Sequence, residues 1–262
     1  MIKADLHNHL GINGKNPGFD ETIDLVYKRL GPNSAFGIAN SDDYRYQHFV
    51  EQRGKYERVS IGMGRAVYVP EKKVLVVHCQ EMFTKEGHIL SIAMPHKEKN
   101  IKTKNATDAI NAAKDLRGIL CAVHPFYYQG IGEFLLENPE LLKEFSAWEV
   151  YNGSAEFSFP KFLPKNANEE SKLVYVEKIL ESPDLNIGMC SFTDGHSAKV
   201  IGTCYTELPL RETFMRSNFV STLDETLRNQ KYNGRLHMIP NERDSQIHAA
   251  KMALAKLKLR KH

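Results

Sequence analysis

The chain has 262 residues, a length that suits one α/β barrel or two small domains and can bury a sizeable core. Its 35 Lys and Arg against 32 Asp and Glu leave a net charge of +3, and 42% of residues are hydrophobic, which excludes disorder and argues against an extended polyanion-binding coat. No apolar run approaches the ~18 residues of a membrane span and Met1 to Asp5 lack the apolar stretch of a secretory signal, so a cytoplasmic protein with no membrane partner is expected.

In chain order, Ile2 to Leu6 form a short strand that runs into His7-Asn8-His9 and then a Gly, Asn and Pro loop. Residues 20 to 30 have helical spacing, with Asp20 as cap and Ile23, Val26, Tyr27 and Leu30 on one face. Ala35 to Ala39 is a second strand, followed by the polar corner Asn40-Ser41-Asp42-Asp43 and a helix over 44 to 53. Ala66 to Val69 and Val74 to Val77 make a hairpin that leads to His78-Cys79-Gln80-Glu81, and Gly87-His88-Ile89-Leu90 follows. A helix over 106 to 117 closes at Gly118, and the strand Ile119 to Val123 ends at His124-Pro125. Helices near 133 to 145 and 168 to 181 precede the strands Ala147 to Tyr151 and Asn186 to Cys190, the second ending near Thr193-Asp194-Gly195-His196. Asp244 to His262 has the pattern of a basic helix with a solvated face.

This rhythm of strand, polar corner and helix implies parallel strands with crossover helices, and ligand-type residues recur just past strand ends, where barrel enzymes place their chemistry. With no linker or repeat, a single domain over 1 to 262 is the economical reading. The four cysteines, Cys79, Cys121, Cys190 and Cys204, are too scattered for a disulfide framework or a zinc knuckle and suit buried thiols.

His7 and His9, at i and i+2 leaving a strand, share a face and can grip one metal ion. A bare His-x-His is weak evidence, but Glu81, His88, His124, Asp194 and His196 also stand at or beyond strand ends, and seven donors are too many for one ion. Trp148 suits the core, His78, near Glu81 but on the alternating face, a role supporting the ligands or packing, and His96, His237, His248 and His262 the surface or loops.

The motifs Asp5-Leu6-His7-Asn8-His9, Glu81 with Gly87-His88-Ile89-Leu90, Ala122-Val123-His124-Pro125, Glu149-Val150-Tyr151-Asn152-Gly153 and Thr193-Asp194-Gly195-His196 resemble, in order and spacing, those of the PHP family, named for polymerase and histidinol phosphatase. The resemblance runs to about residue 205. It implies a distorted (β/α)7 TIM-like barrel with a two- or three-metal centre that hydrolyses phosphate esters. Carried over, His7, His9, Glu81 and Asp194 hold one ion, Glu81 bridges to a second completed by His88 and His124, and His196 belongs to a third site.

The sequence departs from the family at that third site. Asn40 and Ser41 stand where Asp and His are usual, and Lys15 occupies a loop position where some members supply another ligand. Two firmly bound ions are therefore expected, with His196 left to bind weakly, orient a water or contact substrate, and with Lys15 as a source of positive charge. Asp42, Asp43 or His48 could rebuild the lost shell. Glu149 and Asn152 suit hydrogen bonding to a ligating histidine.

Two ions can activate a water and neutralise phosphoryl oxygens without a side-chain nucleophile, and the chain has neither a Gly-x-Ser-x-Gly elbow nor a phosphate-binding Gly-x-x-x-x-Gly-Lys loop. Imidazole and carboxylate donors suit Zn, Mn or Fe(II). The first functional expectation is a phosphomonoesterase or phosphodiesterase acting on a small phosphorylated metabolite or nucleotide. The alternatives are an exonuclease of the polymerase-associated type, disfavoured by the near-neutral charge, and a barrel reduced to a metal-binding module. Substrate identity and oligomeric state are left open.

Overall fold

The structure, a computed structural model, describes residues 1–10, 17–96, 100–127, 129–156, 167–174, 177, 182, 184–198, 200–211, 218–230 and 237–238. The element order is β1 (Ile2–Asp5), α1 (Phe19–Leu30), β2 (Ser34–Asn40), α2 (Arg45–Val50), β3 (Val59–Ile61), β4 (Ala66–Val69), β5 (Val74–Phe83), β6 (His88–Ile92), α3 (Ala106–Asp115) and β7 (Ile119–Ala122). It continues with α4 (Gly132–Glu137), α5 (Pro139–Leu142), β8 (Ala147–Asn152), α6 (Ala167–Val174), β9 (Gly188–Phe192), β10 (Cys204–Leu208), α7 (Phe219–Arg228) and β11 (His237–Met238).

The strands run in the order β10-β1-β2-β5-β6-β7-β8-β9, with β11 on the outer edge of β10 and β3-β4 as a side ribbon on β5. The sheet curls until its ends meet. There Ser191 N–H donates to Thr206 Oγ1 at 2.8 Å, and the same hydroxyl donates back to the Ser191 carbonyl at 3.1 Å. The result is a nearly closed, eight-stranded barrel, the TIM-like architecture expected. The expectation of parallel strands holds for β1-β2-β5 and β7-β8-β9, whereas β6 is antiparallel to both neighbours and β10 is antiparallel to β1. The short connection between β5 and β6 permits only a hairpin, because a parallel return needs a crossover of a dozen residues or more.

Local chemistry explains the elements and their differences from the sequence expectation. In α1, Phe19, Thr22, Ile23, Val26 and Leu30 are buried at helical spacing, while Tyr27 lies on the solvent side. Gly18 rather than Asp20 occupies the N-cap, and the Asp20 carboxylate accepts the Lys55 N–H at 2.8 Å. Asn105 caps α3 by accepting the Asp108 N–H at 3.1 Å, a regular N-cap bond. The single helix expected over 133 to 145 is divided into α4 and α5 at Asn138, because Pro139 cannot continue the first helix and starts the second well. Only 167–174 of the helix expected over 168 to 181 is described, and the basic helix near 244–260 lies outside the described residues.

Small and branched side chains line the barrel interior, among them Ala4, Leu6, Ala35, Ala39, Val77, Cys79, Cys121 and Cys190. All four cysteines are buried free thiols, as expected, with the Cys121 and Cys190 sulfurs 3.6 Å apart. Helices α3 to α5 cover the β6-β7-β8 side around Trp148, and α1 and α2 cover the β2-β4-β5 side. Gly37 is required by a close approach. A Cβ there would lie 2.2 Å from the Leu6 carbonyl oxygen, so only glycine lets the chain leaving β1 run this closely beside β2.

Candidate metal centre

Every expected donor lies at one end of the barrel. His7 and His9 follow β1, Glu81 lies near the end of β5, His124 follows β7 and Asp194 follows β9. His88 reaches the same end because β6 runs backwards, so that its first residue rather than its last borders the mouth. Short range patterning could not show this, since it depends on the direction in which the strand pairs.

The donor atoms converge tightly. His7 Nε2 lies 3.1 Å from His9 Nε2 and 3.6 Å from Asp194 Oδ1, and His9 Nε2 lies 3.6 Å from the same Asp194 oxygen. Glu81 faces both sides of the cluster. Its Oε2 is 3.1 Å from His9 Nε2, while its Oε1 is 3.0 Å from His88 Nδ1, 3.1 Å from His124 Nε2 and 3.7 Å from His7 Nε2. Two compact donor groups result among the described residues, His7-His9-Asp194 and His7-Glu81-His124. His196 stands at the edge, its ring 5.0 Å from that of His9 and its Nδ1 2.8 Å from the Asp194 carbonyl oxygen.

A divalent ion fits this donor set. Two donors bound to one ion at about 2.1 Å each lie about 3.0 to 3.5 Å apart, close to the separations here. Two imidazole nitrogens that face each other at 3.1 Å need a shared proton or a cation between them. The charge balance makes the same demand. Burial opposes a charged His7, but the carboxylates of Asp194, Glu149 and Glu81 outweigh it and raise its pKa to about 10. Burial likewise opposes charge on Glu81 and Asp194, yet the surrounding histidines hold both carboxyls below their usual range. A pocket that gathers protons so strongly attracts metal cations by the same field.

A supporting layer holds the donors. Glu149 Oε2 accepts the His124 N–H at 2.5 Å and the Asn152 side-chain amide at 2.9 Å, while its Oε1 lies 3.6 Å from His7 Nδ1. The Asn152 amide also reaches Asp194 Oδ2 at 3.5 Å. His124 and Asp194 both adopt positive φ, 33° and 53°, in the left-handed region that non-glycine residues seldom occupy. Strain at two donor positions is the kind of distortion that surrounding contacts maintain at functional sites.

Sequence reasoning assigned no role to Asp5, although it opens the first motif. It is fully buried and accepts the Thr193 N–H at 3.0 Å, the Thr193 hydroxyl at 2.7 Å and the Gly202 N–H at 2.8 Å. Burial pushes its carboxyl up to about 6 against those hydrogen bonds. Ser154 was also missed, and its hydroxyl donates to the Asp194 carbonyl at 2.8 Å. Neither residue carries a signal in a single sequence, because each acts through a partner far along the chain or through main-chain atoms.

The corner after β2 is occupied by a neutral network. The Asn40 amide nitrogen lies 2.9 Å from Gln47 Oε1, 3.0 Å from His78 Nε2 and 3.2 Å from Asn100 Oδ1, and its oxygen accepts the Tyr46 N–H at 2.8 Å. Asp43 pairs with Arg45, and Asp42 and His48 are exposed. Among the described residues none of Asp42, Asp43 or His48 joins the two donor groups. Lys15 lies outside the described residues.

Three solved structures share this architecture. A two-domain protein from Bacteroides vulgatus, containing a predicted PHP-like metal-dependent phosphoesterase, is 16% identical with a TM-score of 0.50, over 86% of this chain and 63% of that one. The chain has the PHP fold. Endonuclease Q, solved with a 27-mer duplex substrate carrying an abasic lesion at its active site, is 14% identical with a TM-score of 0.51, over 81% of this chain and 56% of that one. PsfC from Pseudomonas syringae is 15% identical with a TM-score of 0.53, over 86% of this chain and 97% of that one. The chain thus spans about three fifths of the first two proteins. No family profile matches the sequence, and no curated protein matches it significantly. Among the described residues no helix is long and apolar enough to cross a membrane.

Proposed function

We propose that the chain is a cytoplasmic, metal-dependent hydrolase of phosphate esters, a single PHP-type barrel with a two-ion centre that acts on a small phosphorylated metabolite or nucleotide. The observation that carries this reading is Glu81, whose two oxygens face His9 on one side and His88 and His124 on the other, beside the second carboxylate of Asp194. His7, His9 and Asp194 would hold one ion, Glu81 would be shared, and His88 and His124 would complete the second site. The donor chemistry suits Zn, Mn or Fe(II).

Divalent ions bound there supply Lewis-acid stabilisation of the phosphoryl oxygens and of the attacking water. The chain's own residues do the rest. Glu149 holds the main chain at His124 and Asn152 reaches the Asp194 carboxylate, which keeps the donors in place without reorganisation. His196, at the edge of the cluster with its ring partly exposed, is placed to orient water or contact a phosphoryl oxygen. Lys15 would add positive charge that a third ion would otherwise bring. The Asn40 network, neutral and already hydrogen-bonded, supplies no donor for a third ion.

A nuclease reading is favoured by one observation, the shared fold with Endonuclease Q, and opposed by a net charge of only +3. Purification without chelator, metal analysis, and turnover of p-nitrophenyl phosphate, bis-p-nitrophenyl phosphate and a labelled oligonucleotide with Mn and with Zn test these readings. Two metal equivalents and turnover of the small esters are expected. Three tightly held equivalents would overturn the two-ion centre, activity surviving in His7→Ala and His9→Ala variants would overturn the metal mechanism, and preference for the oligonucleotide would favour the nuclease.

A further inference from the structure

Phe83 is the last residue of β5, two positions past Glu81 and on the same face of the strand. A phenylalanine there is 44% exposed, although the rest of β5 is buried. Isolated exposed apolar side chains are ordinary, but this one is not isolated from the chemistry. In register it opposes His88, and the two rings lie 4.5 Å apart. From His88 the line of rings continues to His124 at 5.3 Å and then to Tyr127 at 6.5 Å. Tyr127 is 38% exposed. Two candidate metal-binding imidazoles are therefore flanked at both ends by aromatic side chains open to solvent.

A phosphoryl group held at His88 and His124 leaves the remainder of its ester within reach of these flanking rings. A sugar or glycerol moiety can offer a benzene face only its C–H edges, whereas a planar base covers the whole ring. A nucleobase stacks on it, sequence-tolerantly and with part of the ring area removed from water. We propose that Phe83, with Tyr127 beyond His124, forms a stacking platform for a planar ring carried by the substrate, so that the enzyme selects nucleotide-type phosphoesters over aliphatic ones. This inference rests on the phosphoesterase reading for its catalytic consequence, but the stacking itself is a binding property.

The test uses the Mn-loaded full chain with adenosine 5′-monophosphate and ribose 5-phosphate, which share the phosphate and sugar and differ only in the base. Turnover and calorimetric binding are measured for the wild type, Phe83→Ala and Phe83→Trp. The wild type should bind the nucleotide about tenfold more tightly than the sugar phosphate, Phe83→Ala should erase that ratio through KM or Kd rather than kcat, and Phe83→Trp should restore it. Rescue by tryptophan distinguishes stacking from a folding defect. Equal binding of the two probes by the wild type, or a ratio that Phe83→Ala leaves intact, overturns the platform. Nucleotide-selective binding that depends on Phe83, with no turnover of either ester, supports the platform and overturns the phosphoesterase reading instead.

Discussion

Asp5 and Thr193, 188 positions apart, are joined by two hydrogen bonds in which the Thr193 N–H and hydroxyl donate to the two oxygens of one buried carboxylate. This link ties the strand that delivers His7 and His9 to the loop that delivers Asp194. The strands β1 and β9 are not ladder partners, and the carboxylate adds to the one backbone bridge between these segments, in which the His9 N–H donates to the Gly195 carbonyl at 2.7 Å.

Replacing Asp5 by Ala leaves the Thr193 and Gly202 N–H groups without their acceptor, while the Thr193 hydroxyl keeps the Cys204 carbonyl at 3.0 Å. A loss of about 2 to 4 kcal/mol in unfolding free energy is expected, in line with buried donors stripped of a charged partner. Denaturant unfolding measures the loss, and metal analysis should show weaker retention at the His7-His9-Asp194 group. A variant as stable as the wild type would show that the link is unimportant.

Gly37→Ala tests the close approach of the first segment to β2. The new methyl would meet the Leu6 carbonyl at 2.2 Å, and backbone cannot rotate away as a side chain can. Destabilisation of about 1 to 3 kcal/mol by overpacking is expected, with His7 and His9 displaced and metal binding weakened. Thermal unfolding with and without Mn reads both effects.

Glu149→Gln keeps the size of the side chain but removes the charge that faces His7 and His124. Metal affinity should fall about 10- to 100-fold, as is usual when a partner of metal-binding histidines is lost. Competition with a chelator measures the change. An unaltered affinity would reduce Glu149 to a packing role.

His78 predicts an acid-side loss of stability. Burial holds its ring neutral and lowers its pKa from 6.5 to about 4, and the neutral ring can donate from Nδ1 to the Met94 carbonyl at 2.9 Å while Nε2 accepts from Asn40. The unfolded chain takes up this proton near pH 6.5 and the folded chain resists it. The contribution is therefore fully present above that pH and falls away towards pH 4, by about 3 kcal/mol in total. Urea unfolding between pH 7 and 4.5 should show a shallower decline for His78→Gln than for the wild type.

Metal removal should destabilise the barrel mouth. Since the ions bind the folded donor set, excess Mn or Zn at about 100 times its dissociation constant should add about 2.7 kcal/mol, and chelator should reverse the gain. A melting temperature indifferent to both would contradict binding at this centre.

The sequence alone determined the kinds of donor and their position at strand ends. His7, His9, Glu81, His88, His124 and Asp194 all lie at one barrel mouth because strand alternation and turn chemistry are local properties that short windows carry. The same windows implied parallel strands and did not show which strands reverse or how the sheet closes. That β6 runs antiparallel, that Ser191 and Thr206 seal the sheet edge, and that α7, β10 and β11 follow are outcomes of pairing between distant segments. Asp5, Ser154 and Phe83 gained their places only in three dimensions. Each acts on a neighbour brought close by folding, through a contact that no spacing along the chain encodes. The donors were thus written in the sequence, while the frame that supports and flanks them was decided by tertiary packing.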